Sequence, residues 1–134
     1  MIKGRAVCGK IAEGEAVVFQ APFSFIGDMD PESGEVTMAN HPLFGTNLKG
    51  KVLVVTTGHG GTIAPFMAYK AKLNNCNPAA IVCNFADNIT VECAIVMGIP
   101  VVDGFREDIT QIIKSGLHVT VDGTHGTIDL DDVN

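Results

Sequence analysis

Lys51-Val52-Leu53-Val54-Val55-Thr56-Thr57-Gly58-His59-Gly60-Gly61-Thr62-Ile63-Ala64-Pro65-Phe66-Met67-Ala68-Tyr69-Lys70-Ala71-Lys72-Leu73 is the stretch on which the fold turns. Its first part, Val52–Val55, is an apolar, β-branched run bounded by turn signals, the pattern of a buried strand. Its last part, Ile63–Leu73, carries Ile63, Phe66, Met67, Lys70 and Leu73 at helical spacing. Between the two lie three glycines, one histidine and three threonines within seven residues. Thr62 is placed to cap the helix, and Pro65 is tolerable in a first turn whose N–H groups lack intrahelical partners. A glycine-rich loop running into a helix start presents free N–H groups and the positive end of the helix dipole. That geometry suits a carboxylate or a phosphate. The same spacing also fits a plain strand-to-helix turn whose glycines supply unusual backbone angles. Spacing nominates a site and leaves its chemistry open.

Downstream the strand–helix alternation continues. Pro78 precedes a strand over Ala79–Cys83, and Asn84–Asn88 is a polar loop with capping residues. Ile89–Met97 reads as a helix stopped by Gly98. Ile99–Val102 is a third strand, Arg106–Lys114 a third helix, and Leu117–Val121 and Thr127–Leu130 are closing strands around Asp122–Gly126. The acidic end, Asp131–Asn134, is expected to fray. Upstream, Lys3–Cys8 and Glu15–Phe19 are short β-like runs separated by Gly9–Gly14, and Glu35–Met38 is a brief strand. The intervening residues are breaker-rich: roughly thirty residues of irregular chain, long enough to suggest a function. Asp28, Asp30 and Glu32 lack calcium-loop spacing and read as a solvated turn. The expected architecture is α/β: a small parallel sheet covered by helices, with extra strands beside it, in one domain over residues 1–134. Ligands of such sheets bind beyond the carboxyl ends of the strands. Both Gly58–Thr62 and Asn84–Asn88 lie at such ends, facing the same side.

Composition narrows the function. A chain of 134 residues with 46% hydrophobic content buries roughly two-thirds of its unfolded surface as one domain. With no Trp and one Tyr, the core falls to Val, Ile, Leu, Met and seven Phe. A net charge of −6 and nine scattered basic residues argue against a nucleic-acid surface. The longest apolar run, Ala94–Val102, is too short to cross a bilayer, and Met1–Arg5 lacks the apolar region of a signal peptide. Cys8, Cys76, Cys83 and Cys93 form no Cys-x-x-Cys pair and read as reduced thiols, not metal ligands, which places the protein in the cytoplasm. His41, His118 and His125 read as loop and strand-edge residues without an obvious partner.

Pro22-Phe23-Ser24-Phe25-Ile26-Gly27-Asp28-Met29-Asp30-Pro31-Glu32-Ser33-Gly34, Asn40–Gly45, Gly50–Thr62 and Asn77–Val102 together resemble the small, swivelling subunit of aconitase X. The resemblance covers nearly the whole chain in order. It implies a swivelling β/β/α domain that closes over an active cleft and forms a heterodimer with a large subunit. It also implies a dehydratase acting on a small hydroxy acid such as mevalonate 5-phosphate or cis-3-hydroxy-L-proline. The iron or iron–sulfur centre is then expected in the large subunit, and none bound by this chain.

The family loop reads like Gly-Arg-Gly-Ser-Ser or Gly-Lys-Gly-Ser-Thr, its serine serving as base or substrate ligand. Here the loop is Gly58-His59-Gly60-Gly61-Thr62: Gly61 takes the first hydroxyl position, and His59 stands where a basic residue is common. Elimination of water needs a base for the α-proton and a Lewis acid for the departing hydroxyl. Thr62 and His59 are the candidates from this chain, with Gly58, Gly60, Gly61, Ser24, Phe25, Gly27 and Asp30 as candidate substrate-binding neighbours. Thr62 can act as base or as helix cap, and His59 can transfer a proton or hold a carboxylate. Two other readings stand beside this one. A non-catalytic swivel module is favoured by Gly61. A phosphotransfer swivel domain is suggested by Thr90–Val102, although Val91 and Glu92 stand where its histidine would be.

Overall fold

The computed structural model describes residues 1–131. Eight strands and three helices follow in order: β1 (Ile2–Lys3), β2 (Arg5–Cys8), β3 (Ile11–Phe19), β4 (Val52–Thr57), α1 (Ala64–Leu73), β5 (Ala80–Phe85), α2 (Asn88–Met97), β6 (Val101–Asp103), α3 (Ile109–Ile112), β7 (His118–Asp122) and β8 (Thr127–Asp131). They form one eight-stranded sheet, ordered β1-β8-β7-β3-β4-β5-β6-β2. β3 belongs to both halves. Its first part pairs antiparallel with β7 through Ile11–Glu15, and its last part pairs parallel with β4 through Ala16–Phe19. The small sheet with flanking strands expected from sequence is therefore one continuous sheet. The turn expected over Gly9–Gly14 shrinks to Gly9-Lys10, because β3 starts at Ile11.

The two ends of the strand order, β1 and β2, are consecutive in the chain with only Gly4 between them. The sheet thus curls until its edges meet at one residue. Gly4 N donates to Gly126 O at 2.7 Å. A Cβ at Gly4 would lie 2.5 Å from Asp103 O and 2.8 Å from the Phe105 ring. Only a residue without a side chain fits there. Curling protects most strand edges from outside pairing.

Strand alternation divides the interior into two cores. Leu53 and Val55 of β4 with Ile81 and Cys83 of β5 face α1 and α2. Val52, Val54, Ala80 and Val82 face Val119, Val121 and Ile128 of the antiparallel half, with Ile109 and Ile113. The parallel half therefore carries helices on one face and strands on the other, which corrects the expectation of a helix-covered sheet. The third helix is four residues, not Arg106–Lys114. Asp108 caps it, Asn84 Oδ1 accepts from Ile109 N at 2.9 Å, and Ile113 must leave in an extended conformation to reach the second core.

Phe23, Phe25, Met29, Val36 and Leu48 from the irregular Ala21–Gly50 segment complete the first core. The strand expected over Glu35–Met38 is a single bridge, Glu35 to Asn47. Fraying expected over Asp131–Asn134 falls, beyond Asp131 in β8, outside the described residues.

Candidate functional site

Gly58–Ile63 leaves the carboxyl end of β4 and runs to α1. A parallel bridge joins Phe23 to Gly58, with Phe23 N donating to Thr57 O at 2.9 Å and His59 N to Phe23 O at 3.0 Å. On the other side Thr57 Oγ1 donates to Phe85 O at 2.6 Å. Gly58 also lies directly against the start of α2. A Cβ there would overlap Thr90 Oγ1 and come within 2.7 Å of Asp87 Oδ1. Asp87 caps α2, accepting from Thr90 N at 3.2 Å and from the Thr90 hydroxyl. The glycine loop and the Asn84–Asn88 loop thus meet on one side, as the sequence suggests. Asp87 and Thr90 were not among the candidates, although an Asp three residues before Thr is a cap signal.

Thr62 does not cap α1. The cap position is Ile63, already helical at φ −82°, ψ −14°, with no side-chain bond. The donors a capping oxygen would serve are absent or taken. Ala64 N donates to Gly61 O at 3.1 Å, Pro65 has no N–H, and Phe66 N donates to Ile63 O at 3.0 Å. Thr62 is exposed and its hydroxyl is uncommitted. The free amides also sit earlier than expected: among the described residues, Gly60, Gly61, Thr62 and Ile63 N–H donate to no protein acceptor. The loop, not the helix's first turn, offers the anion-binding groups. Gly60, at φ +127°, gives this run its shape, and a side chain there would meet Ser24 Oγ at 2.8 Å.

The early segment contributes unevenly. Ser24 is buried beside Gly60, its N–H donating to Asp28 Oδ2 at 2.7 Å and its Oγ accepting from Ile26 N at 3.0 Å. Gly27, at φ +94°, allows that turn. Phe25 is buried in the first core, set edge-on to Phe23 at 5.1 Å. Asp30 is not brought to the loop. Its carboxylate accepts from Glu32 N, and the adjacent Pro31 O accepts from Asn74 Nδ2 at 2.9 Å. That places it beyond the far end of α1, a helix about 15 Å long. Asp28 is the acid on the site side. Its Oδ1 lies 3.2 Å from Nε2 of buried His41, whose Nδ1 accepts from Leu43 N at 3.0 Å. The three histidines expected to lack partners all face carboxylates: His41 faces Asp28, His118 Glu13 at 3.0 Å, and His125 Asp122 at 2.8 Å. His59 is exposed, at the loop's outer edge.

Sequence reading also missed a cation. Asp103, fully buried at the end of β6, accepts from Arg5 Nε at 2.8 Å and Nη2 at 2.7 Å, and from Ala86 N at 2.8 Å. These bonds hold the Arg5 guanidinium above its already high pKa. Arg5 lies on β2, three strands from β4, about 14 Å at ordinary strand spacing. Ninety-eight residues separate the pair, so no local signal predicts it.

The four thiols are free. Burial pushes Cys83 and Cys93 up to about 12. Among the described residues no three His, Cys, Asp or Glu side chains converge to hold a metal ion. No described helix is long and apolar enough to cross a membrane.

The family profile described as the aconitase X swivel domain matches residues 1–130. The chain belongs to that family. A phosphomevalonate dehydratase small subunit from Methanocella arvoryzae is 41% identical over 96% of this chain and 98% of its own length. One from Thermococcus kodakarensis is 40% identical over 96% and 95%. Among solved structures, the crystal structure of Thermococcus kodakaraensis aconitase X in its holo-form superposes with a TM-score of 0.90 at 38% identity, covering 98% of both chains. A solution structure of a UPF0107 protein superposes at 0.87 and 29% identity, covering 97% of this chain and 98% of its own.

Proposed function

We propose that this aconitase X swivel domain is the small subunit of a dehydratase, acting in the cytoplasm with a large subunit on a phosphorylated hydroxy acid. The relatives' names favour mevalonate 5-phosphate over cis-3-hydroxy-L-proline. One observation carries the reading: Thr62 presents an exposed, uncommitted hydroxyl beside four free backbone amides, at the carboxyl end of the parallel strands. A threonine hydroxyl is a weak base until its alkoxide is stabilised, and oriented N–H groups do that where water is excluded. As an alkoxide held by the loop amides, Thr62 takes the α-proton and returns to the neutral hydroxyl, while His59 orients the substrate carboxylate. The Lewis acid for the departing hydroxyl would be a metal centre of the large subunit. Arg5, clamped by Asp103, offers its remaining N–H groups to a second anionic end of the substrate.

The test is dehydration of 5-phosphomevalonate by the co-expressed pair. Thr62→Ala lowers kcat about 100-fold or more with little change in KM, the loss expected for a proton-transfer group. His59→Ala raises KM instead. Unchanged turnover in the Thr62 variant removes that residue from the mechanism. A second reading, a swivel module that binds without catalysing, is favoured by Gly61, which supplies no hydroxyl where the family serine stands.

A further inference from the structure

His41 is a loop residue with a buried ring. Its side chain is 4% exposed, and the imidazole lies against Phe19 of β3 at 4.7 Å between centroids. Around it the chain turns back on itself: His41 N donates to Met38 O at 3.0 Å, and Phe44 N to His41 O at 3.0 Å. Nδ1 accepts from Leu43 N at 3.0 Å, so the proton of the neutral ring sits on Nε2. That nitrogen is buried and has no aligned acceptor among the described residues. What it faces is Asp28 Oδ1, 3.2 Å away. A buried N–H left in this state is costly, and the local turn does not account for it. Asn, whose short side chain caps the N–H two residues on, would serve Leu43 as well. The imidazole adds one thing that Asn lacks, which is reach to Asp28.

Asp28 carries that contact to the candidate site. Its other oxygen, Oδ2, accepts from Ser24 N at 2.7 Å, and its own N–H donates to Ser24 O at 3.2 Å, which closes a turn over Ser24–Asp28. The turn backs the glycine loop. A Cβ at Gly60 would lie 2.8 Å from Ser24 Oγ and 3.6 Å from Ile26 Cδ1. Just before the turn, Phe23 O accepts from His59 N. The carboxylate thus ties the turn to His41, and His41 is seated against Phe19, which pairs with Val55 of β4. We propose that His41 is a positioning residue for the loop: acting through Asp28, it holds the Ser24–Asp28 turn against Gly60 and so fixes the directions of the free amides and of Thr62. Its effect on turnover rests on the dehydratase reading above, whereas its hold on the loop does not. A displacement of about 1 Å in such groups is enough to slow a reaction about 100-fold.

Two variants separate the ring's two nitrogens. An Asn side-chain oxygen falls near the place of Nδ1, and a Gln side-chain N–H falls near the place of Nε2. His41→Asn therefore keeps the Leu43 cap, and His41→Gln keeps the contact with Asp28. In the full-length chain, His41→Asn speeds hydrogen exchange at the His59 and Phe23 amides about tenfold or more and leaves Val54 of β4 unchanged, the mark of a local opening. His41→Gln brings both amides back to within about threefold of wild type. His125→Gln, at an exposed histidine that also faces a carboxylate, changes neither. In the pair co-expressed for dehydration of 5-phosphomevalonate, His41→Asn lowers kcat about tenfold with KM within about twofold, and His41→Gln recovers it. Wild-type exchange at His59 in His41→Asn overturns the positioning role. Equal acceleration at His59 and Val54 overturns it too, since a residue that only fills the core loosens the whole chain. So does a His41→Gln chain no better than His41→Asn, which leaves His41 with its local cap alone. The expected exchange with wild-type kcat overturns the effect on turnover. No dehydration by the wild-type pair overturns the dehydratase reading and leaves the exchange result standing.

Discussion

Gly58→Ala tests how the Gly58–Ile63 loop is held. The glycine's φ is not in the left-handed region, so alanine brings no backbone strain. What it brings is a methyl group in space occupied by Thr90 Oγ1, 2.7 Å from Asp87 Oδ1. Overpacking of this kind costs about 1–3 kcal/mol. For 134 residues, at about 2.1 cal/mol/K of unfolding entropy per residue, each kcal/mol lowers the melting temperature by about 3.5 °C. The single variant should therefore melt about 7 °C below wild type. Thr90→Ala removes the obstructing oxygen and, with it, one hydroxyl bond to Asp87, a loss of about 1 kcal/mol. On that background Gly58→Ala meets Asp87 Oδ1 at 2.7 Å and the Thr90 Cβ at 3.3 Å, without the Thr90 oxygen that overlaps it most. Its additional cost should then fall by at least about 1 kcal/mol. Calorimetry of the four proteins yields the coupling directly. Additivity within about 0.5 kcal/mol would mean that loop and helix start do not touch, and the joining of the two loops would fail with it.

Two more perturbations bear on the loop and the thiols. Gly61→Ser places a hydroxyl where no atom lies within 4 Å. Stability should stay within about 0.5 kcal/mol of wild type and dehydration should rise, whereas an unchanged rate would show that Thr62 alone suffices. Cys83 and Cys93 are pushed up to about 12 from 9.0 chiefly by burial. The native state then holds protons that the unfolded chain releases. Stability is fully present below pH 9 and is lost as pH rises from 9 towards 12, with a limiting slope of about 1.4 kcal/mol per pH unit per thiol. Urea titrations between pH 9 and 11 should show a shallower decline in Cys93→Ala, and parallel slopes would refute burial as the cause.

Local grammar carried much of the fold. Val52–Val55 reads as a strand because β-branched residues between turn signals have few other uses, and Gly98 ends α2 in the left-handed conformation that glycine favours. Period and phase are separate matters, though. The helical spacing of Ile63, Phe66 and Leu73 was legible, but these residues face outward. Nothing in an apolar pattern distinguishes a face buried by its own chain from one left exposed. Closure of the sheet through Gly4 was illegible for a different reason. It depends on Gly126 and Asp103, both about a hundred residues away.

The same distinction explains why the site was only half readable. Thr62 has capping chemistry and a capping position, yet Pro65 deletes one amide a cap would serve and the loop and first-turn carbonyls take the others. Its hydroxyl is free because its structural task is already done by the backbone. Phe25 and Asp30 show the converse. One is claimed by the core, and the other is bound into a turn at the wrong end of α1. If a partner completes the proposed site, its residues are to be sought among side chains that no contact within this chain already uses. Thr62 and His59 share that property at the carboxyl end of β4, with the exposed hydroxyl and imidazole held by no partner among the described residues.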